Sequence, residues 1–194
     1  MATIALAKVT EIERVREIER ASASRFIAIG MVELAEDEPT AAETLVRRIS
    51  TGGLLVASDE AGSPVAFVMF RELDGCAYIE QLDVLPSHAG KRIGAALIDE
   101  VEERAREASW PALLLSTFKD VPWNAPYYRR LGFADVPDAE LSDALRRIRA
   151  EHEARGLDET RRVFMRRQVR GSVGLASGST TAICSSLSPV ASSK

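Results

Sequence analysis

The chain has 194 residues, of which 46% are hydrophobic and 28% are charged, a composition typical of one globular domain. The formal net charge of −4 argues against a broad basic surface for nucleic acid, and an aromatic content of 6% is too low for a base-stacking platform. Two cysteines cannot cross-link a fold of this size, which favours a reducing compartment, and the sequence lacks an apolar run of about 18 residues. We therefore expect a cytoplasmic protein that binds neither nucleic acid nor membrane.

The composition changes near residue 171. From 171 to 194 the chain is rich in Ser, Thr and Gly, and Lys194 is its only charged residue. Such a segment buries too little apolar surface to offset the entropy lost on ordering. We expect one domain over residues 1–170 and a disordered tail over 171–194; a docking peptide is the alternative interpretation of the tail.

The first fifty residues predict two helices. Thr10 and Glu13 have the spacing of a capping box, and apolar residues at helical spacing follow to about Ala21. A further helix is predicted from Pro39 to Ile49, where a Thr-Gly-Gly sequence stops it. The stretch between the two helices has helical composition without a clear phase.

Three strand-like runs follow, over residues 54–58, 64–72 and 76–85. The connections between them are short and contain glycine, which indicates an antiparallel meander. Pro86 ends the third run because a proline ring removes a donor from the strand ladder.

Helices and strands alternate in the second half of the domain. The predicted elements are a helix over 90–109, a strand over 111–118, a helix over 124–131, a strand from 133, a helix over 138–155 and a strand over 161–169. The strand–helix–strand order around residue 100 requires a crossover between parallel neighbours. The expected fold class is α/β (α+β): one domain with a mixed, mostly antiparallel sheet flanked by helices.

The loop after the third strand has the features of an anion site. The first amides of a helix lack partners within the helix, and the helix dipole adds positive charge there. Gly90 and Gly94 permit close approach of a ligand, and Lys91 and Arg92 add two cations. The spacing fits neither a P-loop nor a dinucleotide fingerprint, and an ordinary helix start with solvated cations is the alternative.

A second stretch carries a candidate proton donor. Asn124 is a good helix N-cap, and Tyr128 lies one helical turn later on the same face. A phenol with an ordinary pKa of about 10 can give a proton to a departing thiolate. The alternative is that Tyr127 and Tyr128 are core aromatics.

Together these stretches resemble the GNAT superfamily of acetyl-coenzyme A-dependent N-acetyltransferases, over roughly residues 1–170. The matching pieces are Val84 with Pro86, the run Ala89–Gly94, the run Asn124–Tyr128 and Leu131-Gly-Phe133. Two positions depart from the family pattern. Ala89 stands where the family prefers Gln or Arg, and Arg92 stands where it prefers Gly, which adds a cation that we expect to contact phosphate.

The resemblance implies a site for acetyl-coenzyme A (acetyl-CoA) and no metal. Backbone groups of Leu82, Asp83 and Val84 would pair with the pantetheine arm, and Asn124 would hydrogen-bond it. Tyr128 would protonate the leaving thiolate after direct attack by an amine, without an acyl-enzyme. The pyrophosphate would be held by amides of Ala89, Gly90, Lys91, Arg92, Ile93, Gly94 and Ala95.

The base that takes the proton of the amine is predicted to be Glu80. Strand alternation places Glu80 on the same face as Tyr78 and Leu82 and on the opposite face from Asp83. Both faces carry polar as well as apolar residues, so Asp83 is the alternative base. A bulge in this strand would change the phase. His152 is expected on the surface.

The acceptor is expected to be a primary amine of a small molecule or peptide, drawn by acids at Glu33, Glu36, Asp37 and Glu38. A non-catalytic acyl-CoA sensor with the same fold is the alternative function. The oligomeric state is open, with a homodimer as one option.

Overall fold

Seven strands form one sheet with helices on both faces. The computed structural model describes residues 2–171, so the predicted tail lies outside the described residues from 172 onward. The strands are β1 Thr3–Leu6, β2 Leu54–Ser58, β3 Pro64–Leu73, β4 Cys76–Val84, β5 Ala112–Phe118, β6 Ala134–Asp135 and β7 Arg162–Gln168. The α-helices are α1 Ile12–Ala23, α2 Val32–Glu36, α3 Ala42–Ser50, α4 Ile93–Glu107, α5 Ala125–Arg130 and α6 Asp143–Ala154. Within residues 2–171, no helix is both long enough and apolar enough to cross a membrane.

The sheet order is β1-β2-β3-β4-β5-β7-β6. Adjacent strands are antiparallel except β4 and β5, which are parallel and joined through α4. This arrangement confirms the predicted class, a mixed α/β domain with a mostly antiparallel sheet.

Several element starts differ from the sequence prediction. The predicted capping box of Thr10 and Glu13 is wrong, because the chain enters α1 through a 3-10 turn over Val9–Glu11 and the Lys8 amide donates to the Glu11 carboxylate at 2.8 Å. The helix predicted from residue 138 begins as α6 at Asp143. Ser142 caps it by accepting from the amide of Leu145. Strand β1 was not predicted, because it is a short edge strand without an alternating burial pattern.

The two faces of the sheet bury separate apolar clusters. Helices α4 and α5 cover one face, where the predicted apolar stripe of α4 packs against β3 and β5 and includes the fully buried Leu97. Helices α1 and α3 cover one half of the opposite face, around Phe67, and α6 covers the other half, around Phe164. We call the first side of the sheet the α4 face and the second the α1/α6 face.

A bulge in β4 changes which side chains share a face. Met69 of β3 pairs with Gln81 and Phe70 pairs with Ile79, so Glu80 is the extra residue. Beyond the bulge, Leu82 packs on the α4 face, whereas Asp83 lines a cavity on the α1/α6 face together with Glu80. The alternation that placed these two acids on opposite faces is therefore wrong, since one extra residue inverts a two-residue period.

Strands β4 and β5 separate after a short contact. They pair only from Ala77 to Ile79 with Leu113 to Leu115, although β4 continues to Val84 and β5 to Phe118. The edge of β4 that faces β5 is therefore unpaired over its last five residues. We call the space beside this unpaired edge the gap between β4 and β5.

Candidate active site

The loop before α4 presents a row of backbone donors. Within residues 2–171, the amides from 90 to 95 donate to no backbone carbonyl, because the first helical bond runs from Ala96 to Arg92. Gly90 turns the loop with a φ of 78°. Lys91 and Arg92 are exposed beside these amides. The geometry is that of an anion site at a helix N-terminus.

Arg92 has a left-handed backbone, with a φ of 60°, directly before α4. This conformation costs a residue with a Cβ about 1 to 2 kcal/mol, whereas glycine adopts it readily. The structure therefore gives a physical reason for the family's preference for glycine at this position. The predicted helix start at residue 90 is three residues early, since a left-handed residue cannot belong to the helix.

Gly94 allows α4 to start close to its neighbours. A Cβ at this position would lie 3.0 Å from the Tyr127 hydroxyl and 3.3 Å from a methyl carbon of Leu82. The first turn of α4 therefore contacts both β4 and α5. This contact holds the unpaired amides from 90 to 95, which we call the donor row, against the unpaired end of β4.

Helix α5 brings Tyr128 to the same gap. Asn124 is its N-cap residue but makes no side-chain capping hydrogen bond, so its carboxamide is not used to start the helix. Tyr128 is buried, with its ring edge-on to Phe133 at 5.6 Å between centroids. Burial raises the pKa of Tyr128, and the neighbouring Tyr127 phenol and Asp83 carboxylate raise it further. The phenol is therefore protonated at neutral pH.

Asp83 faces the cavity from the end of β4. Gln81 donates to its carboxylate at 2.8 Å, and Ser22 makes a second side-chain hydrogen bond. Burial raises the pKa of Asp83 to about 6; the hydrogen bonds from Ser22 and Gln81 oppose the shift, and the charge of Glu19 adds to it. Asp83 is thus a carboxylate at neutral pH with unusually high basicity.

Glu80 is held by two arginines. Arg48 donates to both of its oxygens, at 2.5 and 2.8 Å, and Arg71 donates to one of them at 2.9 Å. Three charge-assisted hydrogen bonds strongly stabilise the ionised carboxylate of Glu80. Glu80, the predicted base, is therefore less available to accept a proton than Asp83.

The cavity on the α1/α6 face has a volume of about 590 Å³, within the usual range for small-molecule sites. Phe26 and Phe118 contribute apolar wall, and three arginines contribute guanidinium groups. Of the acids that we predicted would attract an amine, Asp37 and Glu38 line the cavity, whereas Glu33 and Glu36 do not. Six carboxylates line it in all, from Glu19, Asp37, Glu38, Glu80, Asp83 and Glu151.

Two residues that line the cavity, Thr40 and His152, were not singled out as site residues from the sequence. Thr40, before α3, donates its amide to Glu19 at 3.0 Å and approaches Gln81 at 3.1 Å, which links α1 to β4. His152 was predicted on the surface, and this prediction is wrong: its side chain is only 14% exposed and lines the cavity. No local signal marks either residue, because the cavity wall is assembled from segments more than a hundred residues apart in sequence.

Solved structures with the same fold include several acetyltransferases. N-acetylglutamate synthase from Neisseria gonorrhoeae, complexed with coenzyme A and N-acetyl-glutamate, has a TM-score of 0.67 at 14% identity over 88% of this chain. This chain covers only 35% of that protein. The PaiA N-acetyltransferase from Thermoplasma acidophilum, in complex with coenzyme A, has a TM-score of 0.60 at 15% identity, over 87% of this chain and 99% of that one.

A GNAT-family acetyltransferase from Staphylococcus aureus Mu50 has a TM-score of 0.67 at 13% identity, with coverage of 88% of this chain and all of that one. At such identities the likeness concerns the fold. The sequence itself matches the family described as acetyltransferase (GNAT) over residues 12–133, which is more than half of the chain. The chain therefore belongs to the GNAT acetyltransferase family.

Proposed function

We propose that this protein transfers the acetyl group of acetyl-CoA to a primary amine of a small molecule or peptide, in a ternary complex. The observation that carries the proposal is the gap between β4 and β5. On one side of the gap lie the unpaired amides before α4, and on the other lies an acidic cavity. A thioester in the gap would meet an amine held in the cavity.

The residues before and in α4 fit the coenzyme. A pyrophosphate is an anion that suits unpaired amides at a helix N-terminus, here those of Gly90 to Ala95, and Lys91 and Arg92 add positive charge. The predicted amide of Ala89 is not one of them, because it donates to the Pro86 carbonyl at 3.2 Å. The unpaired edge of β4 over Leu82 to Val84 offers backbone groups for the amides of the pantetheine arm. The free carboxamide of Asn124 would hydrogen-bond the same arm.

Two side chains would handle protons. Bound acetyl-CoA supplies an activated acetyl thioester. Asp83, ionised at neutral pH, would accept the proton of the amine that attacks it, directly or through water. Tyr128, kept protonated by burial, would donate its hydroxyl proton to the departing sulfur. Glu80, itself paired with Arg48, would hold Arg71 in the cavity wall.

The matched pair Tyr128→Phe and Tyr127→Phe tests this assignment. Each variant removes one hydroxyl from adjacent residues of α5. Thiol release from acetyl-CoA, measured with a panel of amines, should fall about 100-fold or more in kcat for Tyr128→Phe, while coenzyme affinity stays unchanged. Tyr127→Phe should retain most of kcat.

Two results would contradict the proposal. Equal kcat for wild-type protein and Tyr128→Phe would remove Tyr128 from proton transfer. Tight coenzyme binding without thiol release from any amine would instead favour a non-catalytic acyl-CoA sensor.

A further inference from the structure

His152 lies where α6 meets the cavity, outside the segment that matches the family. Its ring stacks on Phe164 of β7, with 6.4 Å between centroids and 12° between planes. Its Nδ1 lies 2.7 Å from a carboxylate oxygen of Glu159. One nitrogen of the ring is thus used within the protein, and the ring itself lines the cavity.

Glu159 is held in place on several sides. Its side chain is only 9% exposed, and besides His152 it faces Arg162 at 3.3 Å and Arg149 at 3.8 Å. This is the arrangement by which a carboxylate fixes the orientation and tautomer of an imidazole. Glu159 accepts a hydrogen bond from Nδ1–H, which leaves the Nε2 lone pair as a hydrogen-bond acceptor.

The imidazole is neutral at neutral pH. Burial lowers the pKa of His152 and the charge of Arg162 lowers it further, whereas Glu159 raises it; the net shift is downward. A neutral imidazole with an acceptor nitrogen does not repel a cation. It binds N–H or O–H donors and cannot serve as an anion site.

The charges that line the cavity favour the same kind of ligand. Two cations, Arg162 and Arg155, act on His152, but Arg162 is paired with Glu159 and Arg155 with Asp37. Six carboxylates and three guanidinium groups line the cavity, an excess of negative charge. Glu80 is paired with Arg71, and Asp37 lies 3.5 Å from Arg155, so much of the cationic charge is already neutralised. Glu151, adjacent to His152 on α6, has no such partner in the described ion pairs. The α6 wall therefore suits a positively charged donor.

We propose that His152, oriented by Glu159, is a specificity-determining residue that binds a second amino group of the acceptor, so that aliphatic diamines are the preferred acceptors. One amine would lie beside Asp83 on β4, and the distal ammonium group would donate to Nε2 of His152 beside Glu151. This inference rests on the proposed function, because it takes the cavity as the acceptor site.

The test compares hexamethylenediamine with hexylamine, which lacks only the second amino group. Wild-type protein should show a kcat/KM at least about tenfold higher for the diamine, the size expected for one charged hydrogen bond. His152→Phe keeps the stacking on Phe164 but removes the acceptor nitrogen. It should raise KM for the diamine about tenfold, with kcat for both amines and KM for hexylamine unchanged.

Two further variants separate recognition from a structural effect. His152→Gln retains a hydrogen-bond acceptor and should keep part of the preference. Glu153→Gln changes an exposed neighbour on α6 and should keep all of it. Calorimetric titration of hexamethylenediamine into wild-type and His152→Phe protein, each saturated with coenzyme A, measures the same difference without turnover.

The failures of the two proposals are distinguishable. Equal kcat/KM for the two amines in wild-type protein, or an unchanged preference in His152→Phe, would overturn the role of His152 while leaving amine acetylation intact. Coenzyme binding without thiol release would reject the proposed function. In that case, equal diamine affinity of the two proteins in the titration would also overturn the role of His152.

Discussion

Replacing Asp83 by asparagine tests the electrostatics at the centre of the proposed site. Asparagine keeps the size of the side chain and can still accept the hydrogen bond from Gln81. It removes the negative charge that burial opposes. We expect the variant to be more stable than the wild-type protein at pH 8 and far less active.

The magnitude follows from the pKa of Asp83, which burial raises from its ordinary value of 3.8 to about 6. A carboxyl group whose pKa is raised in the folded state makes the protein less stable as pH increases from the ordinary value to the raised one. Ionised Asp83 destabilises the folded protein by at most about 3 kcal/mol. This destabilisation is complete at pH values above the raised pKa and absent at pH values below the ordinary pKa. For a chain of this size, that amounts to an increase in Tm of up to about 10 °C in Asp83→Asn at pH 8.

Two assays check this expectation. Thermal unfolding of both proteins from pH 3 to pH 8 should show a stability difference that grows through the interval between the two pKa values. In wild-type protein, kcat/KM for amine acetylation should fall as the pH decreases through about 6. Asp83→Asn should lose about 100-fold or more in kcat/KM, and this limb of the pH profile should disappear.

Glu80→Gln is the matched control, because it removes the other candidate carboxylate of β4. It leaves Arg48 and Arg71 with a neutral partner, so it should lower stability by about 1 to 3 kcal/mol while keeping the pH limb. A stability difference in Asp83→Asn that does not depend on pH would refute the raised pKa. Loss of the pH limb in Glu80→Gln alone would transfer the role of base to Glu80.

Substitutions at three other positions probe the frame around the site. Arg92→Gly and Arg92→Ala both remove the guanidinium group and should weaken coenzyme binding about threefold to tenfold in calorimetry; only glycine suits the left-handed backbone, so Arg92→Gly should be the more stable of the two by about 1 kcal/mol. Gly53→Ala should lower Tm, because the new Cβ would lie less than 3 Å from the backbone oxygen of Phe70, at a cost of about 1 to 3 kcal/mol. Glu102→Gln should cost up to about 5 kcal/mol in denaturant unfolding, because it removes the buried charged partner of Arg167 and leaves it with the more distant, exposed Asp99 at 3.6 Å.

Glu102 also gives a pH-dependent expectation of opposite sign to that of Asp83. Burial alone would raise the pKa of Glu102, but hydrogen bonds from Arg170 and the charge of Arg167 lower it below its ordinary value of 4.5. The contribution of Glu102 is therefore complete above that value and is lost as the pH falls through the lowered pKa. Wild-type protein and Glu102→Gln should converge in stability in acid; a constant difference would contradict the ion pair as its source.

For the other two sites, tighter coenzyme binding by Arg92→Ala would exclude a phosphate contact, and an unchanged Tm in Gly53→Ala would show that the turn before β2 adjusts without strain.

Local sequence patterns predicted the part of the site that depends on local backbone structure. Gly90 and the start of α4 are set by glycines, cations and apolar spacing within a few residues, so the donor row follows from the sequence of this one segment. Asn124 and Tyr128 lie one helical turn apart, a relation that helix geometry fixes. The parallel pair β4 and β5 followed from the strand–helix–strand order.

Tertiary structure decided which side chains meet. The bulge at Glu80 depends on the register between β3 and β4, and it brings Asp83 to the same cavity as Glu80, contrary to simple alternation. The wall of the cavity is built by α1, β4 and α6, and His152 on α6 lies opposite β4. This wall therefore contains residues more than a hundred positions apart in sequence. Local propensity extends only over a turn or a strand, whereas the pairing of distant segments is set by packing of the whole chain. The sequence alone therefore indicated the family, the proposed coenzyme loop and the proposed proton donor. Only the folded structure showed that two arginines hold Glu80 and that Asp83 and His152 line one cavity.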